Sequence, residues 1–192
     1  ACVNLLFNQQ EPRIAGITAI RTTSVDLNLG RVFHYVGVQF YPGVWQGARD
    51  EIVDSYVGTP YRGALPLVDT SERMHALDFA DKAPHLVSLV EWCIQTGHVV
   101  PNAITARLLQ QLDRIRSVAD MAAIAGLSTR QLQRSLKAST GFSPHDLLKV
   151  LRVQQSFRRH HLDLYADQSH FINAFRQATG YTPVRYRDRY RV

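Results

Sequence analysis

The chain has 192 residues, 45% of them hydrophobic and 20% charged, with 22 Lys+Arg against 16 Asp+Glu, a formal net charge of +6 and a pI near 9.6. That composition supports a core for one or two domains and excludes wholesale disorder, collagen-like repeats and low-complexity scaffolding, and no apolar stretch approaches the ~18 residues of a membrane span. Two cysteines, Cys2 and Cys93, give no disulfide framework, so a reducing cytoplasm is the expected compartment.

The charge is uneven. Residues 1–106 hold 7 Lys+Arg and 10 Asp+Glu, for −3, whereas residues 107–192 hold 15 and 6, for +9. A mildly acidic half joined to a basic one suits a sensor or oligomerisation domain fused to a nucleic-acid-binding domain. The plainer alternative is charge that serves only solubility.

Residues 1–8 read as a strand already under way, with no initiator Met or signal-peptide layout, so the sequence is expected to be a fragment. Residues 14–20, 24–29 and 31–40 are short, rich in Val, Ile, Thr, Tyr and Phe, and separated by Gly or polar turns, which predicts a curved antiparallel, barrel-like sheet ending at Tyr41-Pro42-Gly43. Residues 47–57 read as a short helix with Ile52, Val53 and Tyr56 on one side and Asp50, Glu51 and Asp54 as its solvated face. Residues 58–66 are too rich in Gly and Pro for a helix interior.

From Pro84 the period becomes helical, with Leu86, Leu89, Val90, Cys93 and Ile94 on one stripe that Gly97 ends. Asn102 is placed to cap a second helix with Ile104, Leu108, Leu112 and Ile115 as its apolar row. The stretch 97–102 is the expected boundary, dividing the chain into a β-rich regulatory domain, 1–100, and a helical domain, 101–192.

Residues 117–142 carry the functional signal. Ser117 suits the N-cap of an Ala-rich helix with Val118, Met121, Ala122 and Ala125 inward. Gly126 supplies a left-handed stop, Leu127 plugs the turn, and Ser128 caps a second helix with Leu132 and Leu136 inward. This pattern predicts a helix-turn-helix, because small alanines permit close crossing and the Gly-Leu-Ser turn directs the second helix outward. Arg130, Gln133, Arg134 and Lys137 then share the opposite face. Arg pairs bidentately with guanine and Gln with adenine in the major groove, so such a face reads bases. An ordinary solvated face is the alternative, since these residues are also good helix formers; the Gly-Leu-Ser turn favours DNA.

Ser143 and Pro144 start a linking helix, 144–162, with Leu147, Leu148 and Leu151 inward. A second unit ends like the first: Thr140-Gly141-Phe142-Ser143-Pro144 matches Thr179-Gly180-Tyr181-Thr182-Pro183, an internal repeat about forty residues apart.

The two units, the linking helix and the run from Tyr165-Ala-Asp-Gln168-Ser169-His170-Phe-Ile-Asn173 through Gly180-Tyr-Thr182-Pro to Tyr186-Arg187 resemble the DNA-binding domain of the AraC/XylS transcriptional regulators over roughly residues 105–190. The resemblance implies an α+β chain: an antiparallel β-rich domain followed by an all-α double helix-turn-helix domain, a bacterial, cytoplasmic, nucleoid-associated regulator and not an enzyme. Double-stranded DNA is its implied partner, read in two successive major-groove segments. Carried over by position, Arg130, Gln133 and Arg134 are the first base-reading set, and Gln168, Ser169 and Asn173 the second. Ser128, Lys137, Ser143, His170 and Thr182 are the backbone contacts. The first half resembles more loosely, through residues 2–8, 37–43 and 66–69, the β-rich domain of a subset of such regulators, which implies a small-molecule effector or a homodimer. RNA polymerase is a further implied partner, and no cofactor or membrane is expected.

One departure stands out. Only Asp163 and Leu164 separate the linking helix from Tyr165, too few to build the support helix that the second unit should have. Either the second unit has lost that helix or roughly ten residues are missing from the sequence; the second alternative is favoured, and a break or an abnormally long Cα–Cα separation is expected near residues 161–165.

Other classes are weaker. Eight histidines and two cysteines lack the paired spacing of a structural zinc site, so no metal is expected. No phosphate loop, nucleophile elbow or paired-carboxylate site stands out. Tyr181, Tyr186 and Tyr190 among Arg185, Arg187, Arg189 and Arg191 would suit a sequence-tolerant binder of single strands. A third alternative is a small-molecule sensor with a vestigial DNA-binding half.

Overall fold

The structure, a computed structural model, describes residues 3–19, 34–47, 49–53, 58–158 and 167–190, the side chains of residues 154, 156–158 and 190 excepted. The protein is α+β, an antiparallel sheet followed by helices. Its chain divides after Thr105 into two compact units, slightly beyond the stretch expected from composition.

In the first unit β1 (Val3–Asn8) is the central strand, with β2 (Ala15–Ala19) and β3 (Tyr35–Gln39) antiparallel on either side. Alternation drives its burial: Val3, Leu5 and Phe7 point into the core, and Leu5 lies between Ile17 of β2 and Val38 of β3. Asn8 ends the strand, its Oδ1 accepting the N–H groups of Gln10 and Glu11 at 2.8 and 3.2 Å. Gly37 is needed for a steric reason, because a Cβ there would stand 2.3 Å from the backbone oxygen of Leu5. Among the described residues the sheet is open, with β2 and β3 as its edges, rather than closed into the expected barrel. The strand expected at 24–29 lies outside the described residues.

Helix α1 (Leu67–Met74) packs on β1, β2 and α2 (Phe79–Gln95). The spacing of Leu67, Thr70, Ser71 and Met74, all buried, is helical, but two of the four are polar and the apolar pattern did not reveal it. Helix α2 begins five residues before Pro84, which therefore sits inside it at the cost of the bond that its missing N–H would make to the Ala80 carbonyl. Leu89 and Cys93 enter the core and Leu86 and Val90 pack against it, whereas Ile94, expected on the same stripe, is 50% exposed.

Of the helix expected over 47–57, residues 48 and 54–57, with Asp54 and Tyr56, lie outside the described residues; Arg49–Glu51 form a 3-10 turn, after which Ile52 bridges Ile17 and the Val53 N–H donates to the Ile17 carbonyl at 2.8 Å. Two β-branched residues there extend alongside β2 instead of coiling. Glu51 is not a plain solvated side chain, since its carboxylate accepts the Tyr61 hydroxyl and the Ala64 N–H. Burial, then Glu51, pushes the Tyr61 phenol well above its usual range.

Asn102 caps α3 (Ala103–Gln110), its Oδ1 accepting from Ile104 and Thr105 at 3.1 Å each. The helix stops at Gln110, so Leu112 and the buried Ile115 lie beyond it, around a 3-10 turn at Leu112–Arg114. The second unit continues with α4 (Val118–Ala125), α5 (Thr129–Thr140), α6 (Pro144–Arg158), α7 (Gln168–Thr179) and α8 (Pro183–Tyr190). Helices α4, α5 and α6 pack on one another, and α7 packs on α6 and α8. Met121, Ala122, Ala125, Leu132, Leu136, Leu147, Leu148, Leu151 and Val153 supply the buried side chains, and Phe175 closes the far end against Tyr186, 5.5 Å between ring centroids. The expected break at 161–165 lies outside the described residues.

Candidate nucleic-acid interface

The sequence dictates the α4–α5 junction bond by bond. Ser117 accepts the Asp120 N–H while the Asp120 carboxylate accepts the N–H groups of Ser117 and Arg116, each at 2.8 Å. Those bonds, that from Arg116 first and those with Ser117 next, hold the Asp120 carboxyl below its ordinary value. Gly126 is left-handed at φ 69°, and the N–H groups of Gly126 and Leu127 reach back to the carbonyls of Ala123 and Ala122. Arg107 of α3 adds a bond to the Ala125 carbonyl at 3.3 Å, an anchor that the sequence pattern did not single out. Ser128 then opens α5 with a second capping box, completed by Gln131.

These caps fix the rotation of α5. Leu132 and Leu136 have no exposed surface, while Arg130, Gln133, Arg134 and Lys137 are all exposed on the other side. The Lys137 ammonium donates to the Gly141 carbonyl at 2.9 Å, which pins one end of the stripe and leaves two of its protons for an anion.

Helix α7 repeats this design 39 residues later. Both helices have 12 residues, an N-cap side chain accepting the N–H three residues on (Ser128 from Gln131, Asp167 from His170), and a left-handed glycine at the end, φ 78° at Gly141 and 79° at Gly180. The fourth and eighth residues, Leu132 and Leu136 in α5, are Phe171 and Phe175 in α7; Phe175 is buried and Phe171 half-buried beside it. The second, sixth and ninth are Arg130, Arg134 and Lys137 in α5 and Ser169, Asn173 and Arg176 in α7, and all six are exposed. Arg176 was not among the expected contacts; only the full 39-residue register reveals it as the counterpart of Lys137. The fifth position differs, since exposed Gln133 corresponds to half-buried Ile172, so the polar stripe of α7 is narrower.

The remaining expected residues divide. Gln168 and His170 are exposed in the first turn of α7, where the cap is Asp167 and His170 contributes its backbone N–H. Thr182 accepts the Arg185 N–H at 3.4 Å and has no acceptor for its own proton among the described residues. The Ser143 hydroxyl donates to the Asp146 carboxylate at 2.6 Å and accepts the Asp146 N–H at 3.2 Å, so a carboxylate lies at the start of α6. At the start of α5 the Ser128 N–H donates to the Gln131 side chain at 2.9 Å. On α8, Arg185, Arg187 and Arg189 are exposed, with the Arg189 guanidinium 5.4 Å from the centre of the Tyr181 ring.

Among the described residues no group of three His, Cys, Asp or Glu side chains is placed to hold a metal, and no helix is long and apolar enough to cross a membrane. The chain matches no family model, and no curated protein or solved structure resembles it significantly.

Proposed function

We propose that the protein is a sequence-specific duplex-DNA-binding regulator of the AraC/XylS type, in which α4 and α5 form a helix-turn-helix and α5 is its reading helix. The observation that carries this is the stripe of Arg130, Gln133, Arg134 and Lys137, all exposed on a helix whose opposite side, Leu132 and Leu136, is wholly buried. Side chains that make bidentate contacts to purine edges thus share one face with a cation for phosphate. Helix α7 is the second reading helix, and α6 and α8, which pack against it, take the supporting place that α4 has in the first module. The first unit serves an effector or a second copy of the chain, and the assembly acts on RNA polymerase from a nucleoid-bound position in a bacterial cytoplasm.

Selection of bound duplexes from a random library with the full chain tests the proposal. A common bipartite site should emerge whose binding survives excess random duplex. Equal binding to single strands, or no enrichment at low salt, would contradict it.

A further inference from the structure

We infer that the two reading helices recognise unlike bases at corresponding positions, a guanine opposite Arg134 and an adenine opposite Asn173; this rests on the duplex-reading role just proposed. Arg134 and Asn173 are each the sixth residue of a 12-residue helix that starts at an N-cap side chain accepting the N–H three residues on, Ser128 or Asp167, and ends at a left-handed glycine, φ 78° or 79°. Both lie exposed between the second-position residue, Arg130 or Ser169, and the ninth-position cation, Lys137 or Arg176. The backbone frame is therefore repeated while the reading group changes from a guanidinium fork to a carboxamide. An Arg fork donates twice and matches the two acceptors O6 and N7 of guanine; an Asn carboxamide donates once and accepts once, which matches N7 and the N6 amino group of adenine.

The neighbours reinforce the asymmetry. The α5 stripe carries three cations at its second, sixth and ninth positions and Gln133 at its fifth, whereas the α7 stripe carries Arg176 alone, with Ile172 at the fifth. The α5 segment of the site should hold most of the salt-dependent affinity, and the α7 segment should discriminate through fewer positions. The bound site is thus two unlike segments, not a direct repeat, although the protein modules are repeats.

The experiment is duplex selection from a random library with the full chain and four variants, Arg134→Asn, Arg134→Lys, Asn173→Arg and Asn173→Gln. Both side chains, Arg134 and Asn173, are exposed, and circular dichroism checks the fold. Asn173→Arg should convert one adenine to guanine in one segment only, shifting the preference at that position roughly ten- to hundredfold, and Asn173→Gln should keep the adenine. Arg134→Asn should convert a guanine to adenine in the other segment, and Arg134→Lys should keep it. A wild-type site that none of the substitutions alters, or that Asn173→Arg alters in both segments, overturns the inference and leaves the duplex-reading role standing. Absence of any wild-type site overturns both.

Discussion

Thr140 and Thr179 close the last turns of α5 and α7 with the same pair of hydrogen bonds. Each hydroxyl donates to the carbonyl four residues back, Leu136 at 2.7 Å and Phe175 at 2.8 Å, and accepts the N–H two residues on, from Phe142 at 3.0 Å and Tyr181 at 3.2 Å. Thr140→Val keeps the shape, removes the extra hydroxyl bond to the Leu136 carbonyl and takes the acceptor from the part-buried Phe142 N–H, so the second unit should lose about 1–2 kcal/mol in urea denaturation, and Thr140→Ser much less. An unchanged midpoint for Thr140→Val would show that the glycine alone sets the helix end.

Asp120 supplies an acid limb to stability. Its folded-state carboxyl titrates below the ordinary value of 3.8, so the unfolded chain takes up the proton first. The contribution is complete above that value and is lost as pH falls through the lower folded one. Asp120→Asn should lower Tm at neutral pH and flatten the decline of stability below about pH 4. Parallel acid limbs for wild type and variant would exclude this role.

Gly37→Ala places a methyl group against the Leu5 carbonyl, in backbone that two paired strands hold. A loss of about 1–3 kcal/mol confined to the first unit is expected, read as faster amide exchange in β3 with α5 unaffected. Unchanged exchange would mean that β3 shifts freely.

Cys93 has no exposed surface, and burial pushes its thiol up to about 11. At pH 8 roughly one molecule in a thousand carries the thiolate. In a Cys2→Ser background, a disulfide reagent should label no thiol in native buffer and one after unfolding, and rapid native labelling would refute the burial.

The parts of the fold legible in the sequence are those that local chemistry decides. Ser117, Gly126, Ser128 and Gly141 mark caps whose partners lie within five residues, so the turn, the stripe of α5 and the tail repeat could be read directly. The elements that escaped depend on tertiary context. Helix α1 buries Thr70 and Ser71, α2 tolerates Pro84, and Ile52 and Val53 extend because β2 lies alongside. Arg176 escaped because a lone Arg near a helix end is an ordinary solvated residue until Arg134 and Asn173 are known to occupy the same position of repeated helices.

Comparison of Arg134→Ala and Lys137→Ala on the selected duplex and on random duplex, over a range of salt, tests the reading role of α5 most directly. Arg134→Ala should cost about 1–3 kcal/mol on the selected duplex and relax discrimination at one base pair, whereas Lys137→Ala should weaken both duplexes alike and reduce the salt slope by about 1. Equal losses on selected and random DNA for Arg134→Ala would contradict a base-reading α5.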